Sequence, residues 1–212
     1  MSVNGRVVRA PSRRVDPLAD RVEVDGARVR DLREHLVLAL HKPRGYVTTR
    51  HEPGGRPTVY DLLEPEAVGQ WVFPVGRLDR DTAGLLILTN DHRLGQELTD
   101  PAAHVPRTYH AHVRGLPSEE ALRVLREGAV LEDGTRCREA EVQALGGARG
   151  GAWLEIVLTE GKNRQVRRMC AAVGHEVLEL TRVRIGGFAL GEIPEGSWRR
   201  LDADEIALLR RR

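Results

Sequence analysis

Two short apolar runs constrain this chain most, Leu36-Val37-Leu38-Ala39-Leu40 and Leu85-Leu86-Ile87-Leu88. Neither alternates with polar residues, so neither offers a side to water, and each reads as a buried strand. The first continues into His41-Lys42-Pro43-Arg44-Gly45, where Pro43 and Gly45 break it. Tyr109, Ala111 and Val113 alternate with His110, His112 and Arg114, the pattern of a half-buried strand. Further strands are predicted near Val142 and over residues 153–158, 177–180 and 182–190. Residues 21–30 read as a hairpin turning at Asp25-Gly26. The helices are short. One covers residues 91–99 and stops at Pro101; another covers 117–126, capped by Ser118 and ended before Gly128. A third covers 164–173, with Asn163 as its cap and Val166, Met169, Cys170 and Val173 as its apolar face. Asp202-x-x-Glu205, a variant capping box, opens a last one. Strands outnumber helices in irregular order, which predicts an α+β fold on a mixed, mostly antiparallel sheet.

The length of 212 residues suits one large domain, or a domain with a small appendage. The formal net charge of +2 is uninformative, but its distribution is not. The first fourteen residues carry Arg6, Arg9, Arg13 and Arg14 and no acid, and residues 162–184 carry six basic residues against Glu176 and Glu179. Segregated basic clusters fit an anionic partner such as phosphate, and equally fit solvated faces. Cys137 and Cys170 stand far apart without zinc or disulfide spacing, so a reducing cytoplasm is the expected compartment. No apolar run approaches the ~20 residues that span a bilayer.

Three clusters can carry chemistry. Gly76-Arg77-Leu78-Asp79-Arg80-Asp81-Thr82-Ala83-Gly84 sets a carboxylate between arginines in a glycine-bounded loop before a buried strand. By spacing alone Asp79 is as well read as a turn former or a cap. Arg107-Thr108-Tyr109 opens a strand. Gly161-Lys162-Asn163-Arg164-Gln165-Val166-Arg167-Arg168 places arginines on the first turns of a helix, where they and the helix amides attract phosphate or carboxylate. The loop over residues 51–57, rich in Gly and Pro, is expected to be mobile or to face a partner.

With Lys42-Pro43-x-Gly45 before them and Leu180-Thr181-Arg182 through Gly186 after them, these clusters resemble, in order and spacing, the RsuA-like family of ribosomal-RNA pseudouridine synthases. The resemblance covers residues 36–209. It implies isomerisation of a uridine: the C1′–N1 bond breaks, the uracil turns, and it rejoins through C5. That chemistry is redox-neutral and implies no cofactor and no metal. By the resemblance Asp79 attacks or assists at C1′, and Arg167 is its ion-pair partner, keeping the carboxylate ionised and aimed. Tyr109 stacks on the uracil and is a candidate for taking the C5 proton. Arg77, Leu180, Arg164, Arg168 and Lys42 are the expected substrate-side residues: Arg77 fills the space left by the flipped base or holds a phosphate, Leu180 is an apolar wall, and Lys42 with Pro43 supports the floor. The implied partner is ribosomal RNA or an assembly intermediate, with Asn163-Arg164-Gln165 leaning towards the large subunit, and the expected state is a monomer.

Residues 1–33 resemble the second half of an S4 RNA-binding module, and residues 34–212 form the expected catalytic domain. The match rests on Val3-Asn4-Gly5-Arg6-Val7-Val8, Arg14-Val15-Asp16-Pro17 and Asp20-Arg21-Val22-Glu23-Val24-Asp25-Gly26. The pattern is entered halfway, which implies a truncated start or one that lies roughly thirty to fifty residues upstream. Two rivals stand beside the synthase. A non-catalytic RNA-binding or ribosome-assembly protein would favour more aromatics than three Tyr, three Trp and two Phe. An N-glycosidase would need a second carboxylate for acid–base work, with Asp81 the nearest.

Overall fold

The computed structural model describes residues 1–10, 12–16, 19–29, 35–64 and 68–211. Pro17, the end of the predicted hairpin at Arg30 and the predicted domain boundary at 33–34 lie outside the described residues. The chain divides into two compact units, Met1–His35 and Leu36–Arg212.

The first unit is a four-stranded antiparallel sheet of β1 (Ser2–Val3), β2 (Arg6–Val7), β3 (Val22–Val24) and β4 (Ala27–Arg28), in the order β2-β1-β3-β4. Both hairpin turns place two residues at positive φ, Asn4 and Gly5 at 51° and 77°, Asp25 and Gly26 at 50° and 80°. Asn and Asp followed by Gly tolerate that backbone, and its twist matches the strands. The Asn4 amide also ties the turn to residues 20 and 21, donating to Asp20 and accepting from the Arg21 N–H.

The second unit is one large sheet with four helices among its described residues. Its strands are β5 (Val37–Lys42), β6 (Phe73–Pro74), β7 (Ala83–Thr89), β8 (Arg107–Arg114), β9 (Glu141–Ala148), β10 (Gly151–Leu158), β11 (Val177–Ile185), β12 (Phe188–Ala189) and β13 (Trp198–Arg200). The order is β13-β5-β7-β11-β8-β10-β9, with β6 paired to β7 and β12 to β11. Among the strands of the described residues only β7 and β11 pair in parallel. The helices are α1 (His92–Thr99), α2 (Glu119–Arg126), α3 (Gln165–Ala172) and α4 (Ala203–Leu209). The α+β class with a mostly antiparallel sheet is as the sequence implied. Ser118 and the Asp202/Glu205 box cap α2 and α4 as predicted. Two readings change. Residues 177–185 are one strand rather than two, with Gly186-Gly187 turning it into β12, and β13 was not foreseen. No helix among the described residues is long and apolar enough to cross a membrane.

The lack of alternation in β5 and β7 has a direct cause. Val37, Ala39, Leu85 and Ile87 point to a core completed by Leu94 and Leu98 of α1 and Leu209 of α4. Leu38, Leu40, Leu86 and Leu88 point to the other face, against Val59 and Leu63. Each such side chain contributes roughly 1.5–3 kcal/mol of burial. A third core joins Ala111, Leu154 and Ile156 of the sheet to Leu122 and Leu125 of α2 and to Val166, Met169 and Cys170 of α3. Tyr109 packs against the second and third of these cores.

The parallel contact lasts only two residue pairs, Thr181 with Ala83 and Arg182 with Gly84. There the backbones nearly touch. Gly84 has φ +108°, and a Cβ on it would stand 2.2 Å from the Arg182 carbonyl oxygen. Past this pinch the buried Arg182 side chain reaches across, its Nε donating to the Leu85 carbonyl at 2.8 Å. Gly84→Ala therefore combines a strained backbone with overlap against main chain, and a loss of roughly 3 kcal/mol or more is expected. Chemical denaturation of the purified variant measures it; wild-type stability would show that the two strands can separate freely.

Candidate active site

Gly76, at φ +76°, starts the segment before β7, and Leu78 roots it in the core at 6% exposure. Asp79 follows, with Thr82 N–H closing a turn on its carbonyl at 3.1 Å. What fixes the loop is that five successive carbonyls are all engaged. Leu78 O accepts from Thr48 Oγ1 at 2.9 Å, and Asp79 O from Thr82 N. Arg80 O accepts from Gly45 N at 2.8 Å and from the Lys42 ammonium at 3.5 Å. Asp81 O accepts from Arg167 Nη2 at 2.9 Å and Thr82 O from Lys42 Nζ at 2.8 Å. With its main chain so held, the loop leaves the Asp79 side chain one-third exposed at the cleft.

Lys42 is wholly buried, and its ammonium also donates to Pro43 O at 2.9 Å. Burial pushes its pKa down to about 8 against the opposing pull of Asp79 and Asp81. Its expected substrate-side placement is thus corrected. The side chain has no exposed surface to offer a substrate, and its ammonium is spent on main-chain carbonyls.

The ion pair on Asp79 also differs from expectation. Arg164, not Arg167, meets the carboxylate, Nη1 to Oδ2 at 3.5 Å. Arg167, on the first turn of α3, spends its guanidinium on main chain, donating to Val177 O and Asp81 O, both at 2.9 Å. Burial and the neighbouring Arg164 hold its pKa below the usual guanidinium range, opposed by Asp81 and Asp79. Arg164 reaches Asp79 because it occupies the cap position of α3 in the left-handed region, φ 47°, with no side-chain cap. Asn163 is therefore not the cap. A non-glycine residue in that region costs of order 1–3 kcal/mol and is retained where the surroundings fix it. Here Gln165 fixes them: its side chain accepts from Lys162 N at 3.0 Å and donates to Glu160 at 2.6 Å. Glu160 also takes Lys162 Nζ and the Arg138 N–H. Burial raises its pKa, but these donors outweigh that and the net shift is downward.

Beside this loop lies a cleft of about 350 Å³, lined by Arg77, Asp79, Tyr109, Arg164, Leu180 and Arg182 among others. The structure thus brings together Asp79, Tyr109, Leu180, Arg164 and Arg77, and Arg77 makes no hydrogen bond or ion pair among the described residues. It does not bring Arg168, which pairs instead with Glu132 at 3.0 Å and Asp133 at 2.6 Å and does not line the cleft. That substrate-side expectation is corrected too. One residue was missed, Thr48, which clamps Leu78; Arg182 and Arg107 were named only as parts of motifs and stand buried or half-buried at the cleft with their cations on carbonyl oxygens. A basic residue inside a strand pattern was the available signal for the arginines; nothing local marks Thr48.

The sequence profile described as RNA pseudouridylate synthase matches residues 36–172. An uncharacterized RNA pseudouridine synthase of Mycobacterium tuberculosis is 44% identical across 99% of this chain and 82% of its own length. Ribosomal large subunit pseudouridine synthase B of Bacillus subtilis is 37% identical across 99% of this chain and 85% of its own. A crystal structure of a pseudouridylate synthase superposes with a TM-score of 0.77 at 28% identity, over 98% of this chain and 87% of that one.

The buried ammonium makes a pH prediction. Lys42 loses its proton near pH 8 when folded, whereas an exposed lysine keeps it to about 10.4. Between those values the unfolded chain binds more protons, so the contribution of this group to stability rises with pH. Lys42→Met lacks that term and leaves three carbonyls without their cation. The stability difference between wild type and variant should widen in favour of wild type from pH 8 to about pH 10. Parallel thermal melts across that window test it, and a constant difference would show an ordinary, unshifted lysine.

Proposed function

The chain belongs to the RNA pseudouridylate synthase family, and on that premise we propose that it isomerises one uridine of ribosomal RNA, in the large subunit, to pseudouridine. The observation that carries the site assignment is the fully bonded loop that presents Asp79 to the cleft beside Tyr109 and Leu180. Asp79 is the carboxylate that acts at C1′ as the N1 bond breaks. Leu180, 4% exposed, is the apolar wall for the uracil ring as it turns. Tyr109 stacks on the ring, and once C5 has bonded to C1′ its phenol oxygen relays the C5 proton to solvent while N1 takes one proton in return. Arg77 enters the space the uridine leaves or holds an adjacent phosphate. The reaction consumes no electrons and needs no redox cofactor.

Arg164 and Arg167 divide the work expected of one arginine. Arg164 aims the carboxylate, and Arg167 holds the backbone beneath it. In this reading residues 34–212 are the catalytic domain and residues 1–33 a partial S4-like RNA-binding segment. Their arginines Arg6, Arg9, Arg13 and Arg14 add phosphate attraction that weakens with salt. The protein acts in the cytoplasm as a monomer on ribosomal RNA or an assembly intermediate. The sequence similarity to relatives named for the large subunit supports the choice of substrate.

The assay uses RNA tritiated at uridine C5. Wild type should release tritium to water without free uracil, and Asp79→Asn should lose at least about a thousandfold in rate while still binding RNA. Free uracil would indicate a glycosidase, and substantial turnover by the variant would remove Asp79 from the mechanism. The two arginines separate by readout. Arg164→Ala should lower kcat by about tenfold or more with little change in melting temperature, since so exposed a pair adds roughly 0–1 kcal/mol to stability. Arg167→Ala should lower both, because it strips donors from two carbonyls. If Arg167→Ala keeps wild-type stability while Arg164→Ala keeps wild-type kcat, this division is wrong.

A further inference from the structure

Outside the cleft the protein builds an aromatic surface that the reaction does not use. Trp71 is 47% exposed, in a chain with only eight aromatic residues of the Phe, Trp and Tyr types. Its position is nonetheless fixed. Val72 next to it is buried at 2% exposure in the core beneath β5 and β7, and Tyr60 Oη donates to the Val72 carbonyl at 3.1 Å. Phe73 lies against α1 at Gly95, where a Cβ would stand 2.8 Å from its ring, and stacks on His92 at 4.6 Å. Trp71 leans on Phe73 with 5.5 Å between centroids. The result is a short ladder of rings with Trp71 at its exposed end.

A cation stands at that end. The Arg50 guanidinium carbon is 5.8 Å from the Trp71 centroid, and Arg50 makes no ion pair among the described residues. The nearby carboxylates are occupied. Glu52 takes Arg56 at 2.7 Å and the Gly54 N–H, and Asp91 caps α1. The patch therefore combines a half-exposed indole with a guanidinium that lies over it and has no ion pair among the described residues. It lies at the Thr89 end of β7, roughly 20 Å along that strand from the Asp79 loop, and Arg50 links the two. Thr48, two residues before Arg50, exchanges hydrogen bonds with both the N–H and the carbonyl of Leu78. At most roughly 7 Å of chain lies between Arg50 and the residue that fixes the loop of Asp79.

We propose that Trp71 and Arg50 form a stacking platform, outside the cleft, for an unpaired base of the RNA substrate. The inference rests on the RNA reading above. A nucleotide matches the patch: its base offers a π-face to the indole–guanidinium pair and its phosphate a charge to the guanidinium. The adjoining loop over residues 51–57, which the sequence singled out, borders this platform through Arg50.

The test uses the full chain with Trp153→Phe and Trp198→Phe, so that Trp71 is the one remaining indole, and an unmodified large-subunit ribosomal RNA transcript. RNA should quench Trp71 fluorescence. Trp71→Ala in the otherwise native chain should weaken binding and raise KM by roughly 5- to 100-fold. The single-turnover rate at saturating RNA and the melting temperature should stay as in wild type. Trp71→Phe should recover most of the loss, and Arg50→Ala should weaken binding and flatten its salt dependence. Equal RNA affinity for wild type and Trp71→Ala would overturn the platform while leaving the enzyme reading intact. Failure of the wild type itself to bind or modify RNA would overturn both.

Discussion

The buried ammonium of Lys42 is the interaction on which the site depends. A charge without exposed surface is costly, and it is tolerated here because three carbonyl oxygens surround it. Two of them belong to the segment that carries Asp79, so the cost of the cation and the rigidity of the loop are one fact. Thr48, Gly45 and Arg167 complete the set from other directions. In the proposed reaction the carboxylate must meet one carbon of a bulky polymer, and such a mount does the ordering during folding and not at each turnover.

The same economy explains the arginines. One guanidinium could hold either the carboxylate or the backbone well, since its donors lie in a fixed plane. The chain uses two, three residues apart, at the start of α3. Arg164 is turned towards the carboxylate by its left-handed backbone, and Arg167 is aimed by helical geometry at the carbonyls of Val177 and Asp81. Gln165 between them holds the turn together from inside.

Much of this was legible in the sequence, and the limits have physical reasons. The apolar runs of β5 and β7 announce strands covered on both sides, and Ser118 and the Asp202/Glu205 box announce helix starts, because each is a local rule. The grouping of Asp79, Tyr109 and Leu180 came from ordered motifs. The partner of Asp79 did not, because a one-residue shift in where α3 begins decides which arginine faces the loop, and that shift depends on a positive φ at Arg164 rather than on composition. Lys42 reads as a surface cation until tertiary structure buries it. Strand β13 escaped because Trp198-Arg199-Arg200 shows no apolar pattern of its own and is ordered by pairing with β5.

The bonded loop also has a consequence in time. Lys42, Gly45 and Thr48 precede Asp79 in the chain, but the donor to Asp81 comes from Arg167, 86 residues later. A growing polypeptide emerges from its N-terminus, and domains acquire their long-range contacts only as the later segments appear. A nascent chain that has exposed Asp79 but not yet α3 therefore lacks both Arg164 and Arg167. The proposed site is complete only once α3 has been made.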